Sequence, residues 1–427
     1  MELGLLIFAG AITGAAYALA SLGRTASVPA NIGPFLGAMF GLFLVAHVAL
    51  RRLAPHADGL LLPVAALLNG VGYVFIARLN YKLAGLQATW TGVGILAFVL
   101  TLWFVKQARD LQRFRYTFAL LGLVLLVSPV FFGETINGAN NWLRFGSLSF
   151  QPGEIAKIAL AIFFASYLVE KRELLSYSTR RIGGVLVPDL KHFMPILGAW
   201  LLSIAIMAKG QDLGSSLLFF SLFVVVLYLA TGRGIYLGIG GSLLVVGSFF
   251  AYQTFAHVRV RVETWLDPWQ SADAAGYQLT QSLFAMGSGG VAGSGLGLGN
   301  PNKIPVVYTD FIFAAIGEEL GLLGTAAILV GFLVLIGVGL RVALKSANNF
   351  EKLLAAALTT IIGLQSFIII GGVLRVIPLT GITLPFVSYG GSSLVTNYIL
   401  LALLLRISNS GEHDMAAGLT SEEAVAA

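Results

Sequence analysis

The sequence contains no cysteine and little charge, and both deficits exclude classes of protein. Without cysteine, neither a disulfide nor a cysteine-ligated metal site can form. Charged residues make up only 11% of the 427 residues, whereas 57% are hydrophobic; an average soluble domain is roughly 25% charged. The net charge of +6 comes from scattered Lys and Arg, which argues against nucleic-acid binding. These features predict an integral protein of the lipid bilayer.

Long apolar runs predict an all-α polytopic membrane protein. A helix of ~20 apolar residues crosses the hydrocarbon core while satisfying its own backbone hydrogen bonds. The first run directly follows Met1 and Glu2, so it is interpreted as a membrane span rather than a cleavable signal peptide. About twelve spans are predicted, beginning near residues 3, 32, 60, 87, 116, 155, 192, 213, 234, 311, 353 and 386.

The distribution of Lys and Arg predicts the topology. With a cytoplasmic N-terminus, 16 of the 26 basic residues lie on the inner side, against 7 on the outer side once the long outer loop is set aside. An even number of spans then returns the C-terminus to the cytoplasm. Polar loops at 134–154 and 257–308 both face outward, and residues 409–427 are predicted to form a disordered cytoplasmic tail.

The first outer loop gathers aromatic and charged residues. Trp142 suits an interfacial anchor, and Arg144 suits a phosphate ligand. Pro152 marks a helix start, after which Glu154 and Lys157 lie three residues apart on one helix face. A helix-end ion pair explains Glu154 and Lys157 as well as substrate binding does.

The second outer loop combines glycines with carboxylates. The glycine runs at 287–290 and 293–299 resemble phosphate-binding loops, but no strand precedes them, so a tight turn near the membrane surface is favoured. Asp267, Asp273 and Asp310 are suited to act as a general base toward a hydroxyl group. Turn formation and helix capping are the alternative roles for these carboxylates.

Taken together, these segments resemble the SEDS family, the bacterial shape, elongation, division and sporulation proteins. The resemblance implies a ten-helix core at 58–408, preceded here by two additional transmembrane helices within 1–57. It also implies a bacterial cytoplasmic membrane location. The matching segments are 137–157, 211–214, 276–282, 289–290, 309–321 and 384–393.

The resemblance implies a peptidoglycan glycosyltransferase for cell elongation or division. Such an enzyme polymerises lipid II, the undecaprenyl-pyrophosphate-linked disaccharide peptide, at the outer membrane face by inverting transfer. A class B penicillin-binding protein is the implied partner, and Mg²⁺ or Mn²⁺ the implied cofactor. Two alternatives stay open: a flippase or transporter of lipid-linked sugars, and a weakly catalytic scaffold for the penicillin-binding protein.

Candidate site residues follow from the residues and the resemblance together. The acidic position that the family has six residues before Tyr277 is Ser271 here, so Asp273 is the predicted base and Asp267 the second candidate. Tyr308 also occupies a position where the family usually has His. The Pro that the family usually has between Gln211 and Asp212 is missing. Asp310 and Glu154 are candidate metal ligands. Predicted substrate contacts are Trp142, Arg144, Gln151, Glu154, Lys157, Lys303, Thr309, Asp310 and Ser388.

Overall fold

The computed structural model describes residues 1–27, 32–136, 139–145, 148–176, 180–182, 185–187, 194–210 and 212–426. The motif residues Asn137 and Gln211 lie outside these ranges. The described chain is predominantly helical, as the sequence predicts. Its helices are α1 (Glu2–Thr25), α2 (Ile32–Leu53), α3 (Leu61–Leu79), α4 (Tyr81–Phe104), α5 (Arg115–Phe132), α6 (Pro152–Glu170), α7 (Arg172–Ser176), α8 (Met194–Lys209), α9 (Leu213–Thr231), α10 (Ile235–Thr254), α11 (Ala256–Leu266), α12 (Tyr277–Gly289), α13 (Ile312–Lys345), α14 (Asn349–Val373) and α15 (Gly391–Ala426).

The predicted membrane spans coincide with helices. In the described residues, eleven helical segments are long and apolar enough to cross a membrane, and α8 is apolar over the shorter stretch Leu197–Ile206. Each of the twelve predicted spans overlaps one of these helices. The protein is therefore a multi-pass membrane protein built from helices.

The first of two compact units comprises residues 1–103, 251–338 and 365–402. A buried cluster in this unit includes Tyr17 and Ala20 of α1 and Tyr73 and Ala77 of α3. Phe35 of α2 stacks on Tyr73, with ring centroids 4.0 Å apart. Aromatic and small side chains thus pack both N-terminal helices into the unit.

The second unit comprises residues 104–250, 339–364 and 403–427. A Cβ atom built on Gly122 of α5 would lie 2.9 Å from Cγ of Leu160 on α6, so a glycine lets these helices pack closely. Helix α10 instead exposes its apolar side chains, with Val245 at 70% and Phe249 at 66% exposure. Such an apolar exposed surface suits contact with lipid.

The predicted loops contain secondary structure that the sequence analysis did not anticipate. The first outer loop forms a three-stranded antiparallel sheet, β1 (Glu134–Ile136), β2 (Ala139–Phe145) and β3 (Leu148–Phe150). A second, two-stranded sheet contains β4 (Arg180–Ile182) and β5 (Val185–Val187). The long outer loop contains α11, α12 and a short 3₁₀ helix at Pro301–Lys303.

The C-terminal segment is continuous with the last helix, since α15 extends to Ala426. Alanine and glutamate, which are frequent in residues 409–426, have high intrinsic helix propensity. The disordered tail at 409–427 stays a prediction.

Candidate active site

The predicted general bases lie on a compact turn between α11 and α12. The carbonyl oxygen of Ser271 accepts hydrogen bonds from the backbone N–H groups of Ala274 and Gly276, both at 2.9 Å. Asp273 lies inside this closed turn, and its side chain is exposed, as is that of Asp267. The turn therefore presents two carboxylates, although Ser271 occupies the position that is acidic in the resembled family.

The two carboxylates differ in their hydrogen bonding. Oδ1 of Asp267 accepts a hydrogen bond from the backbone N–H of Trp269 at 3.1 Å, the turn-capping role considered as its alternative. Among the described residues, the Asp273 carboxylate has neither a hydrogen bond nor an ion pair. Asp273 is consequently the better placed of the two to accept a proton from a substrate.

Helix α11, which leads into this turn, is held by two arginines. Arg375 Nε donates to the carbonyl oxygen of Trp265 at 2.7 Å, and Trp265 Nε1 donates back to the carbonyl of Arg375 at 3.1 Å. Arg261 Nη1 donates to the carbonyl of Thr380 at 2.8 Å. Arg375 was not a candidate from sequence. The feature that could have identified it is its position as a lone cation in the apolar stretch that follows α14.

Asp310 lies close to Arg261 beside a glycine. A Cβ atom on Gly381 would lie 3.7 Å from Nη2 of Arg261 and 3.7 Å from Oδ2 of Asp310. Gly381 has a φ of 79°, a conformation that side-chain-bearing residues rarely adopt. The backbone conformation therefore favours glycine here, and the half-buried carboxylate of Asp310 and the guanidinium of Arg261 both lie within ordinary contact distance of an added Cβ.

Ser388 links the 384–389 segment to the predicted Thr309 position. Its Oγ donates to the carbonyl oxygen of Thr309 at 2.6 Å and accepts from the backbone N–H of Leu384 at 2.9 Å. A serine hydroxyl has one proton to donate, and Ser388 donates it to the backbone. This arrangement favours a structural role for Ser388 over a substrate contact.

Tyr308, which stands in place of the family's usual His, contacts the same segment. The backbone N–H of Tyr389 donates to the Tyr308 carbonyl at 2.8 Å, and the two rings meet edge to face with centroids 5.9 Å apart. Burial, and secondarily the neighbouring Tyr308, raises the pKa of the Tyr389 hydroxyl above its ordinary value. The aromatic pair thus supplies packing at the position where the resembled family usually has His.

A buried ion pair is hydrogen-bonded to the glycine-rich turn. Arg78 Nε of α3 donates to Oε1 of Glu319 at 2.5 Å, and Arg78 Nη2 donates to the carbonyl of Gly299 at 2.6 Å. The Glu319 side chain is fully buried. Arg78 was not a candidate from sequence, because its partner lies 241 residues further along the chain.

The glycine-rich turn binds the chain's own acidic residues. Oε2 of Glu319 accepts from the backbone N–H of Gly297 at 3.0 Å, and Oε1 of Glu318 accepts from that of Asn300 at 2.6 Å. The N–H groups of Ser294 and Gly295 donate to the carbonyls of Glu318 and Glu319. Since these N–H groups are occupied, the turn is a structural one, as the sequence favoured. Lys303 follows it and is exposed.

In the second unit, Asp212 organises the end of the first outer loop. Its Oδ1 accepts from the backbone N–H of Ser215 at 2.9 Å and so caps α9. Oδ2 accepts from Asn141 Nδ2 at 2.7 Å and from the predicted substrate contact Gln151 at 3.4 Å. These polar groups line a cavity of about 30 Å³, large enough for a water molecule and too small for a sugar.

The remaining candidates of this unit differ in exposure. Lys157 Nζ donates to Oε2 of Glu154 at 2.7 Å, and Lys157 is only 1% exposed. Trp142 is half-buried on β2, whereas Arg144 on the same strand is exposed and pairs in register with Ser149. Arg144 is therefore the predicted cation of this loop that a substrate can reach directly.

The predicted site residues thus divide between the units. Trp142, Arg144, Gln151, Glu154 and Lys157 belong to the second unit, and the others belong to the first. Within the described ranges, no three His, Asp or Glu side chains cluster as a ready metal cage. A cation held jointly by one carboxylate and substrate phosphates does not require such a cage.

Comparison with known sequences gives matches along most of the chain. A family model described as "Cell cycle protein", covering FtsW, RodA and SpoVE, matches residues 60–413. The chain is 45% identical to the peptidoglycan glycosyltransferase RodA of Mycobacterium tuberculosis, over 97% of this chain and 91% of the relative. It is 36% identical to the probable peptidoglycan glycosyltransferase FtsW of Geobacter metallireducens, over 68% of this chain and 76% of that relative.

Solved structures share the fold. One, described as "Structural coordination of polymerization and crosslinking by a peptidoglycan synthase complex", matches with a TM-score of 0.68 at 27% identity, covering 82% of this chain and 97% of that chain. The rod shape determining protein RodA of Thermus thermophilus matches with a TM-score of 0.60 at 24% identity, covering 82% and 96%. These likenesses agree with the all-α polytopic fold.

Proposed function

The chain belongs to the FtsW, RodA and SpoVE cell cycle protein family, the SEDS family that its motifs resemble, and we propose that it polymerises lipid II into glycan strands. It is a peptidoglycan glycosyltransferase, the activity that its 45% identical relatives carry in their names. The observation that carries our assignment of the site is the exposed carboxylate of Asp273, which has no partner in the described part of the chain, on a turn whose backbone is closed by hydrogen bonds.

In the proposed reaction, the 4-hydroxyl of an acceptor sugar attacks the anomeric carbon of the lipid-linked donor. The new carbon–oxygen bond forms as the bond to the pyrophosphate oxygen breaks, with inversion in one displacement. Asp273 takes the hydroxyl proton, and the pyrophosphate leaves with the bonding electron pair. Asp267 is the second candidate base, since one of its oxygens already caps the turn.

The leaving pyrophosphate requires positive charge, and each unit offers one exposed cation as a candidate to supply it. Lys303 ends the 3₁₀ helix that follows the glycine-rich turn, and Arg144 lies on β2. Lys157, by contrast, is buried against Glu154, which favours a role in ordering the first turn of α6. Arg144 offers the bidentate geometry that suits phosphate recognition.

A divalent cation, Mg²⁺ or Mn²⁺, is part of the proposal. Magnesium is commonly bound by one or two carboxylates together with substrate phosphates. The two proposed carboxylates are that of Glu154, one oxygen of which binds Lys157 at 2.7 Å, and that of the half-buried Asp310. When bound, the ion would neutralise charge that develops on the pyrophosphate.

We further propose that both termini are cytoplasmic and that a class B penicillin-binding protein is the partner. The excess of Lys and Arg in one set of short loops supports this orientation. The likeness to a solved complex described as coordinating polymerization and crosslinking supports a cross-linking partner. A scaffold with weak activity is the second candidate, because Ser271 occupies the usual acidic position.

The proposal is tested by incubating the purified protein with lipid II and resolving the products on a gel. The reaction is run with and without Mg²⁺ or Mn²⁺ and with and without a co-purified penicillin-binding partner. We expect polymer that depends on the cation. Absence of polymer under every condition, with the partner shown to be bound, would favour the scaffold.

A further inference from the structure

Helix α1, which precedes the family match, is packed against the glycine-rich turn. The match begins at residue 60, after both α1 and α2. The start of α1 is held to α2 by the buried Glu2, whose Oε1 lies 2.7 Å from Nδ1 of His47 and whose other oxygen pairs with Arg51. The side chain of Leu296, in the glycine-rich turn, packs against the cluster that contains Tyr17.

At its other end, α1 contacts this turn backbone to backbone. A Cβ atom on Gly23 would overlap the carbonyl oxygen of Leu296 and lie 3.3 Å from Cα of Gly297. Conversely, a Cβ atom on Gly297 would overlap the carbonyl oxygen of Ala20 and lie 3.0 Å from the backbone nitrogen of Arg24. Two facing glycines therefore allow an approach that any side chain would prevent.

The same end of α1 is joined to the buried ion pair. Arg24 Nη1 donates to the carbonyl oxygen of Arg78 at 3.0 Å. The Arg78 side chain in turn binds Glu319 and the carbonyl of Gly299, one residue before Asn300. The last turn of α1 thus contacts the glycine-rich turn directly and also through Arg78.

These contacts continue to Lys303. Glu318 accepts from the backbone N–H of Asn300 at 2.6 Å, and the 3₁₀ helix Pro301–Lys303 starts at the next residue. Beyond it, the carbonyl of Pro305 accepts from Gln278 Nε2 on α12 at 2.6 Å. The segment that carries Lys303 is thereby held at both ends, and one of those ends depends on the turn that α1 contacts.

We propose that α1 is a positioning element of the enzyme: Gly23 and Arg24 fix the Leu296–Gly297 turn and thereby the placement of Lys303. This role rests on the proposed function, in which Lys303 binds the pyrophosphate of the lipid-linked donor. It gives α1, which lies outside the family match, a defined mechanical task in the reaction.

The first test substitutes Gly23→Val and uses Gly4→Val as the matched control. Gly4 lies on the same helix, and a Cβ atom added to it would meet no atom within 4 Å, so its substitution should leave activity unchanged. We expect Gly23→Val to raise KM for lipid II about tenfold or more with a smaller change in kcat, since lost binding common to ground and transition states raises KM alone. Arg24→Ala should raise KM by a smaller factor than Gly23→Val does. Arg24→Lys should keep KM close to that of the wild type.

The second test measures the contact itself and requires no activity. In this cysteine-free chain, two cysteine pairs join position 296 to position 20 or 24, and oxidation is followed by gel mobility. A pair joining positions 14 and 36, where a Cβ on Gly14 would lie 3.2 Å from Cδ1 of Leu36, is the positive control. A pair joining 4 and 296 is the negative control, because about 19 helical residues, nearly 30 Å, separate positions 4 and 23.

We expect at least one of the two pairs to cross-link and to retain polymerase activity when oxidised, because the bond locks α1 against the turn. Failure of both pairs while the positive control reacts would overturn the proposal. So would an unchanged KM in Gly23→Val. If the wild-type protein makes no polymer, the proposed function fails, while cross-linking still decides whether α1 holds the turn.

Discussion

Two turns in the long outer segment lie beside carboxylates in opposite environments. The glycine-rich turn is built around Glu318 and Glu319, which are buried and bonded to backbone N–H groups and, for Glu319, to Arg78. The turn before α12 instead exposes Asp267 and Asp273. Only α12 separates the two turns in sequence, yet one contacts buried carboxylates of α13 and the other exposes its own.

The difference shows how burial sorts acidic residues into structural and chemical roles. A buried carboxylate must be paired and hydrogen-bonded to offset its lost hydration. Once its oxygens are occupied, as in Glu319, it is not available to a substrate. An exposed carboxylate such as Asp273 contributes little to the fold and can accept a proton.

The largest effect is expected from breaking the buried ion pair between Arg78 and Glu319. Arg78→Met leaves Glu319 buried without its cation, which should destabilise the protein by about 3–5 kcal/mol. Thermal unfolding in detergent measures the loss, with the exposed Arg52→Met as the control. The double variant Arg78→Met/Glu319→Met should recover much of it, because neither charge is then left unpaired. An unchanged Tm in Arg78→Met would contradict a structural role for the pair.

A smaller effect is expected at Ser388, which was predicted from sequence to contact substrate. Ser388→Ala removes the donor to Thr309 and the acceptor for Leu384, and should cost about 1–3 kcal/mol of stability. KM for lipid II should remain within a factor of two in the folded variant. A large rise in KM at unchanged Tm would restore Ser388 as a substrate ligand.

The smallest expected effect is a pH dependence from His257, near the start of α11. Burial, and then the nearby Arg261, lowers the pKa of this imidazole below its ordinary value. The folded state therefore favours neutral His257, so its contribution is present above the unfolded pKa of about 6.5 and is lost as pH falls through the folded pKa. Between pH 7.5 and 5.5, His257→Gln should lose less Tm than wild type. Equal losses would show that His257 does not contribute.

The sequence predicted the helices and the family, but not the pairings between distant residues. Apolar runs reveal spans because lipid imposes about 20 residues on each helix. The Arg78–Glu319 pair joins positions 241 residues apart, and no local pattern reveals it. The sheet of the first loop was missed because two of its strands are three residues long.

For the candidate site, the sequence likewise predicted the residue types but not their exposure or partners. Residue type identified Asp273 and Asp267 as possible bases, but only the structure distinguishes the capping oxygen of Asp267 from the unpaired carboxylate of Asp273. Lys157 was a candidate because of its charge, and its burial depends on packing that residue type does not encode. Exposure and partners are properties of the tertiary structure.

The most direct test of the account compares initial rates of lipid II polymerisation by wild type, Asp273→Asn and Asp267→Asn at matched Tm. Loss of a general base typically lowers the rate by about 10²–10⁴-fold. We predict that loss for Asp273→Asn and less than about a tenfold loss for Asp267→Asn. Full activity of Asp273→Asn would contradict the assignment, and a severe loss in Asp267→Asn alone would transfer the role of base to Asp267.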